Sequence, residues 1–132
     1  MITITRKFHF SASHYYSNPN WSEEKNLQTF GKCANKNGHG HNYVLEVTLS
    51  GEINPETGYV MDLHQVTELV KTAVLEELDH RNLNIDVTFF HNNNPTMENI
   101  CRFIWKKLQP ILHGLQKITL WETPELYCEY AE

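Results

Sequence analysis

An α+β fold, with an antiparallel sheet carrying two helices on one face, is predicted by three observations. Apolar residues alternate with period two near both ends of the chain, and they recur at helical spacing in two central segments. The resulting order, strand-strand-helix-helix-strand-strand, lets both helices cover the same sheet face. A chain of 132 residues, 40% hydrophobic and 20% charged, is one domain over 1–132 with enough apolar surface for a core.

Residues 2–10 set Ile2, Ile4, Phe8 and Phe10 against Thr3, Thr5, Lys7 and His9, the pattern of a half-buried strand, with Ser11-Ala12-Ser13-His14 at its far end. From Tyr15 to about Gln28 the sequence is polar and reads as a long surface loop with a helical turn. A second strand covers roughly 41–52 through Tyr43, Leu45, Val47 and Leu49, and it ends at the turn Asn54-Pro55-Glu56-Thr57-Gly58. Tyr59-Val60-Met61 is expected to return as a short strand. Asp62 caps a helix over 63–78, with Gln65 placed for a capping box and Leu63, Val66, Val70, Ala73, Val74 and Leu78 as its apolar stripe. Asp79 to Asn84 reads as a polar loop, and Val87 to Phe90 as an extended segment. Thr96 caps a second helix, buried through Ile100, Phe103, Ile104 and Leu108, which Pro110 stops. Strands at about 116–122 and 126–130 close the chain around Thr123-Pro124-Glu125. The open edges of such a sheet are usually blunted, covered or paired with another chain, which makes an oligomer physically reasonable.

Bulk properties remove several classes. A net charge of −5 without any basic run argues against nucleic acid as the main partner. No apolar stretch is long enough to span a bilayer, and the N-terminal residues read as a strand rather than a signal peptide. Three scattered cysteines suit reduced thiols in the cytoplasm.

The segment Gly31 to Tyr43 carries the densest chemistry. His39 and His41 flank one glycine at the start of a strand, so a two-residue period puts both imidazoles on one face, with Gly38 and Gly40 freeing the backbone around them. His14 supplies a third imidazole. Three histidines without a fourth protein ligand fit a catalytic zinc site; three separately hydrogen-bonded histidines fit the same residues. Cys33 stands in a glycine- and asparagine-rich loop, whereas Cys101 and Cys128 lie on apolar patterns and read as small core residues. A reactive Cys33 needs a lowered pKa or a neighbouring base. Asp79-His80 offers an acid–imidazole pair, or simply a histidine at a helix C-terminus. Glu122, in line with Ile118 and Leu120, is either a buried carboxylate for paired N–H donors or a charge at a strand end. Glu98, in a first helical turn, reads as structural.

Taken together, Phe10-Ser11-Ala12-Ser13-His14, Phe30-Gly31-Lys32-Cys33, Asn37-Gly38-His39-Gly40-His41-Asn42-Tyr43, Leu78-Asp79-His80-Arg81-Asn82-Leu83-Asn84, Pro95-Thr96-Met97-Glu98-Asn99 and Glu122-Thr123 resemble the 6-pyruvoyl-tetrahydropterin synthase family over nearly the whole chain. The resemblance implies a tunnelling fold whose barrel closes by oligomerisation, typically as a hexamer of two stacked trimers with active sites between subunits. It implies 7,8-dihydroneopterin triphosphate as substrate and zinc on His14, His39 and His41. It further implies Cys33 as general base, Asp79 and His80 as a relay from a neighbouring subunit, and Glu122 as the anchor of the pterin ring. Lys32, Lys36 and Arg81 are candidates for the triphosphate by charge alone.

Two products are compatible with these motifs. One is 6-pyruvoyl-tetrahydropterin, on the way to biopterin; the other is 6-carboxy-tetrahydropterin, formed with loss of acetaldehyde on the way to queuosine. The His14-to-Cys33 segment and the Cys33-to-His39 spacing resemble the pyruvoyl-forming type, while Pro95-Thr96 resembles bacterial members, many of which make the carboxy product. Tyr130-Ala131-Glu132 and Met97 depart from the family pattern without touching a named ligand. A thiol hydrolase using Cys33, His80 and Asp79, and a non-catalytic zinc- or pterin-binding module, are the readings from other classes.

Overall fold

The computed structural model describes residues 1–132. Strands β1 (Ile2–His14) and β2 (His39–Gly51) pair antiparallel along their whole length, from Ile2 opposite Gly51 to His14 opposite His39. β2 also pairs with β4 (Leu115–Thr123), which in turn pairs with β5 (Leu126–Tyr130), both antiparallel. Alternation places Phe8, Phe10, Ala12 and His14 of β1 on the same inner face as Tyr43, Leu45, Val47 and Leu49 of β2, all of them buried. The outer face is polar and cross-linked, with Lys7 and Trp121 both reaching Glu46. β1 runs four residues beyond the alternating segment, so that His14 enters the core at the strand's end.

Both helical segments cover the inner face, as the sequence predicts. α5 (Met97–Leu108) starts where the Thr96 hydroxyl accepts the Asn99 N–H, and it buries Ile100, Cys101, Phe103, Ile104, Trp105 and Leu108. The expected helix over 63–78 is present but not uniform. α2 (Leu63–Val70), capped by Asp62, widens into a π turn at Lys71–Leu75 before α3 (Glu76–Leu78). Its buried stripe, Val66, Val70, Val74 and Leu78, repeats every four residues, longer than the 3.6-residue α-helical period. The wider turn takes up that drift and keeps Val74 and Leu78 on the sheet.

Several connections differ from the sequence expectation. The polar segment after His14 contains α1 (Glu23–Phe30), capped by the Ser22 hydroxyl, followed by a 3-10 turn at Gly31–Ala34. Tyr59-Val60-Met61 is not a strand: the Asn54 N–H donates to the Tyr59 carbonyl at 2.8 Å, so the segment folds back on its own turn. Val87–Phe90 is not extended, because Thr88–His91 forms a 3-10 turn that buries Phe90. The loop after α3 holds β3 (Arg81–Asn82), which pairs parallel to β1 at Ala12 and Ser13, and then α4 (Leu83–Asp86). The five-stranded sheet, ordered β3-β1-β2-β4-β5, is therefore mixed rather than wholly antiparallel. A two-residue strand has no periodicity to read, which is why sequence patterning passes over it. No helix is long and apolar enough to cross a membrane.

Candidate metal centre and its surroundings

The ladder between β1 and β2 builds the site. His14 faces His39 directly, and His41, opposite Ala12, is the next inward residue on β2. One nitrogen from each of the three rings lies within 4.8 Å of the others, and Nε2 of His14 is 3.2 Å from Nε2 of His39. Gly38, at φ 75°, makes this approach possible: a Cβ there would come within 3.1 Å of the His14 carbonyl oxygen. Gly40, by contrast, has ordinary strand geometry, so the expected backbone freedom is used at Gly38 only.

His14 is fully buried, and its Nδ1–H donates to the Pro95 carbonyl at 2.8 Å. That bond fixes the tautomer and leaves the Nε2 lone pair pointing at the other two rings, the usual arrangement of a metal-ligating histidine. His41 Nε2 is buried without a hydrogen-bond partner. The nearest charge, Glu122 Oε1, stands 3.5 Å away, outside hydrogen-bond geometry. A buried ring nitrogen without a partner is costly, and a divalent cation among three neutral imidazoles would remove that cost. The residues therefore fit a metal ion.

Electrostatics favour the neutral form of His14 and of His41. Burial, reinforced by His39 and His41 and only partly offset by the Pro95 hydrogen bond, lowers the pKa of His14 from 6.5 to about 4. Burial also lowers that of His41, with Glu122 acting in the opposite direction and His39 adding to the shift. In the metal-stripped protein the unfolded chain therefore binds more protons than the folded one between pH 6.5 and 4. Stability is expected to fall as pH drops through that window, by about 3 kcal/mol in total for His14. Urea midpoints of metal-stripped protein at several pH values check this, with His14→Gln flattening the slope.

Cys33 sits half-buried in the 3-10 turn after α1. Its carbonyl accepts the Tyr16 N–H at 2.7 Å, and the Tyr16 ring lies tilted against His14 with centroids 4.9 Å apart. Asparagines hold this segment down: Asn84 exchanges two hydrogen bonds with the Tyr15 backbone, and Asn94 accepts the Ser17 N–H. The segment that reads as a surface loop is thus one wall of the site. Glu122, kept apart from the histidines in the sequence reading, comes to the same cluster on β4.

Asp79 and His80 are brought to each other but not to Cys33. Their side chains pair at 2.9 Å, Asp79 accepts the Ser11 N–H, and the His80 N–H donates to the Ser11 carbonyl. His80 has φ 60°, uncommon for a residue with a side chain, and its imidazole is 83% exposed. It borders a cavity of about 360 Å³ with Ser11, Ser13, His41 and Asn42. Ser11 and Asn42 bond each other on the outer sheet face, opposite the three histidines. Sequence reasoning missed Tyr16, the Tyr43 hydroxyl 3.3 Å from His14 Nδ1, and the Pro95 carbonyl. The carbonyl has no sequence signal, whereas the two tyrosines were visible as polar-tipped aromatics close to His14 and His41.

A mixed sheet with a helical layer on one face, and three histidines close enough to bind a metal ion where β1 ends and β2 begins, define an α+β protein with a candidate metal centre. The chain belongs to the 6-pyruvoyl tetrahydropterin synthase family, whose family model matches residues 3–132. It is 45% identical over 122 residues to the 6-pyruvoyl tetrahydrobiopterin synthase of Pongo abelii, covering 91% of this chain and 84% of that protein. The structure of Caenorhabditis elegans 6-pyruvoyl tetrahydropterin synthase superposes with a TM-score of 0.94 at 40% identity, over 99% of this chain and 95% of the other. The 6-carboxy-5,6,7,8-tetrahydropterin synthase of Haemophilus influenzae is more distant, 29% identical over 154 aligned positions spanning both chains in full.

Proposed function

We propose that this protein is a zinc-dependent lyase converting 7,8-dihydroneopterin triphosphate to 6-pyruvoyl-tetrahydropterin with release of triphosphate. The observation that carries the proposal is the convergence of three imidazoles, one with a buried and unpartnered Nε2, beside the Glu122 carboxylate. His14, His39 and His41 would hold the ion. Zinc bound there supplies positive charge beside a substrate hydroxyl, which makes the neighbouring carbon-bound proton more acidic. Cys33 removes that proton as general base, from the wall built by Tyr16 and the 3-10 turn. Glu122 accepts paired N–H donors of the pterin ring and so orients the side chain toward the histidines. Loss of triphosphate and tautomerisation then rearrange electrons within the substrate, and no redox cofactor is required.

Asp79 and His80 complete the proposal as a relay supplied by a second copy of the chain. Within one chain they open on the outer sheet face, while the Cys33 backbone is tied to Tyr16, whose ring packs on His14. The left-handed His80 backbone, held by Ser11, turns the chain from α3 into β3 and leaves the Asp79–His80 pair at the open side of the sheet. Such an arrangement calls for an oligomer that closes the open sheet into a barrel, with a hexamer as the expected form. A cytoplasmic location accords with three free thiols.

The pyruvoyl product is favoured by the greater identity to the Pongo abelii relative, and the carboxy product stays as the second reading through the Haemophilus influenzae one. Triphosphate release tests the enzyme reading. Zinc-loaded protein is expected to liberate triphosphate from 7,8-dihydroneopterin triphosphate, to stop after chelation and to resume on zinc addition. Binding of substrate without release would leave a pterin-binding module, and turnover that survives chelation would favour a thiol hydrolase.

A further inference from the structure

Away from the histidine cluster, helix α5 and the edge strand β5 meet along a seam of two rungs. Cys101 Sγ lies 2.8 Å from Cys128 Sγ, and one helical turn further on Trp105 packs against Tyr130 with ring centroids 5.6 Å apart. The seam follows from both periodicities. Cys101 and Trp105 are four apart on a helix, and Cys128 and Tyr130 are two apart on a strand, so each pair shares one face. Cys101 is 1% exposed, whereas Cys128 is only half-buried and opens a route for a small reagent. The two sulfurs stand less than about 1 Å beyond covalent disulfide length. Within one chain β5 has a single neighbour in the sheet, β4, and its inner face packs on α5.

We propose that Cys101 and Cys128 form a two-electron redox site, whose disulfide fastens the edge strand β5 to helix α5. The oxidant is a small-molecule disulfide. The Cys128 thiolate attacks one sulfur of the reagent, forming a mixed disulfide and releasing one thiolate. Cys101 then gives up its proton and attacks the Cys128 sulfur, releasing the second. Two protein thiols are oxidised, and one reagent disulfide is reduced to two thiols. The two thiols hydrogen-bond each other, and either can donate. That contact disfavours ionisation at Cys101, where burial acts in the same direction, and favours it at Cys128, where burial and the Glu98 and Glu122 carboxylates oppose it. The bond closes a loop from α5 through β4 to β5, and so restricts the unfolded chain.

The test is incubation of the full-length, zinc-loaded protein with oxidised glutathione, followed by intact-mass analysis and a non-reducing digest. The expected product has lost two hydrogens and joins the peptides of Cys101 and Cys128. Its thermal midpoint rises by roughly 5 °C or more and returns on reduction. Cys33→Ser, which leaves only these two thiols, forms the same cross-link, and Cys128→Ser does not. A persistent glutathione adduct on Cys128, or modification of Cys33 with Cys101 and Cys128 left as free thiols, would overturn the proposal.

Discussion

Alanine in place of His41 is expected to reduce bound zinc from one ion per chain to a small fraction and to take turnover below detection. His41 contributes the ring nitrogen that is buried, without a hydrogen-bond partner, and directed at the other two imidazoles. Removing it leaves His14 and His39, two ligands where a catalytic zinc site ordinarily uses three. The fold should survive, because His41 lies within a long ladder whose backbone bonds do not involve its side chain. Stability of the metal-stripped variant should equal or exceed that of the parent, since an unsatisfied buried nitrogen disappears with the ring. Elemental analysis after gel filtration reads the zinc content. Full zinc occupancy in His41→Ala would remove this histidine from the ligand set.

Alanine in place of Cys33 is expected to lower kcat by about a hundredfold to ten-thousandfold, the usual contribution of a positioned general base. KM should change little, because ring recognition is assigned to Glu122 and hydroxyl binding to the metal. Zinc content and thermal midpoint should stay at parent values: the Cys33 bond to Tyr16 is made by the backbone carbonyl, which alanine retains. Alkylation of the parent protein should reproduce the loss, with the alkylated residue mapped to Cys33 by peptide mass. Full turnover in zinc-loaded Cys33→Ala would exclude the thiol as the base. Asp79→Asn, mixed with Cys33→Ala under conditions that exchange subunits, should restore part of the activity if the relay crosses between chains.

Much of this architecture is legible in the chain because its core elements obey simple periods. The alternation of Phe8, Phe10 and of Tyr43 to Leu49 fixes two strands and their inner face, and that register carries His14, His39 and His41 to one side. The stripes Val66 to Leu78 and Ile100 to Leu108 fix the helices in the same way. What escapes the sequence is set by contacts without a local pattern. β3 is two residues long and exists through its pairing with Ala12 and Ser13. The π turn answers a mismatch between a four-residue stripe and the helical period. The wall formed by Tyr15 to Ser17 reads as a surface loop because Asn84 and Asn94, which pin it, lie far along the chain. Asp79-His80 reads as an acid–imidazole pair that the family resemblance assigns to a neighbouring subunit, and the register places the pair on the outer face of its own chain.

The most direct measurement is the mass of the pterin formed from 7,8-dihydroneopterin triphosphate by the zinc-loaded protein, taken together with an acetaldehyde assay. A 6-pyruvoyl-tetrahydropterin mass with triphosphate and without acetaldehyde is the result expected here. A 6-carboxy-tetrahydropterin mass with stoichiometric acetaldehyde would contradict it and move the protein to deazapurine synthesis.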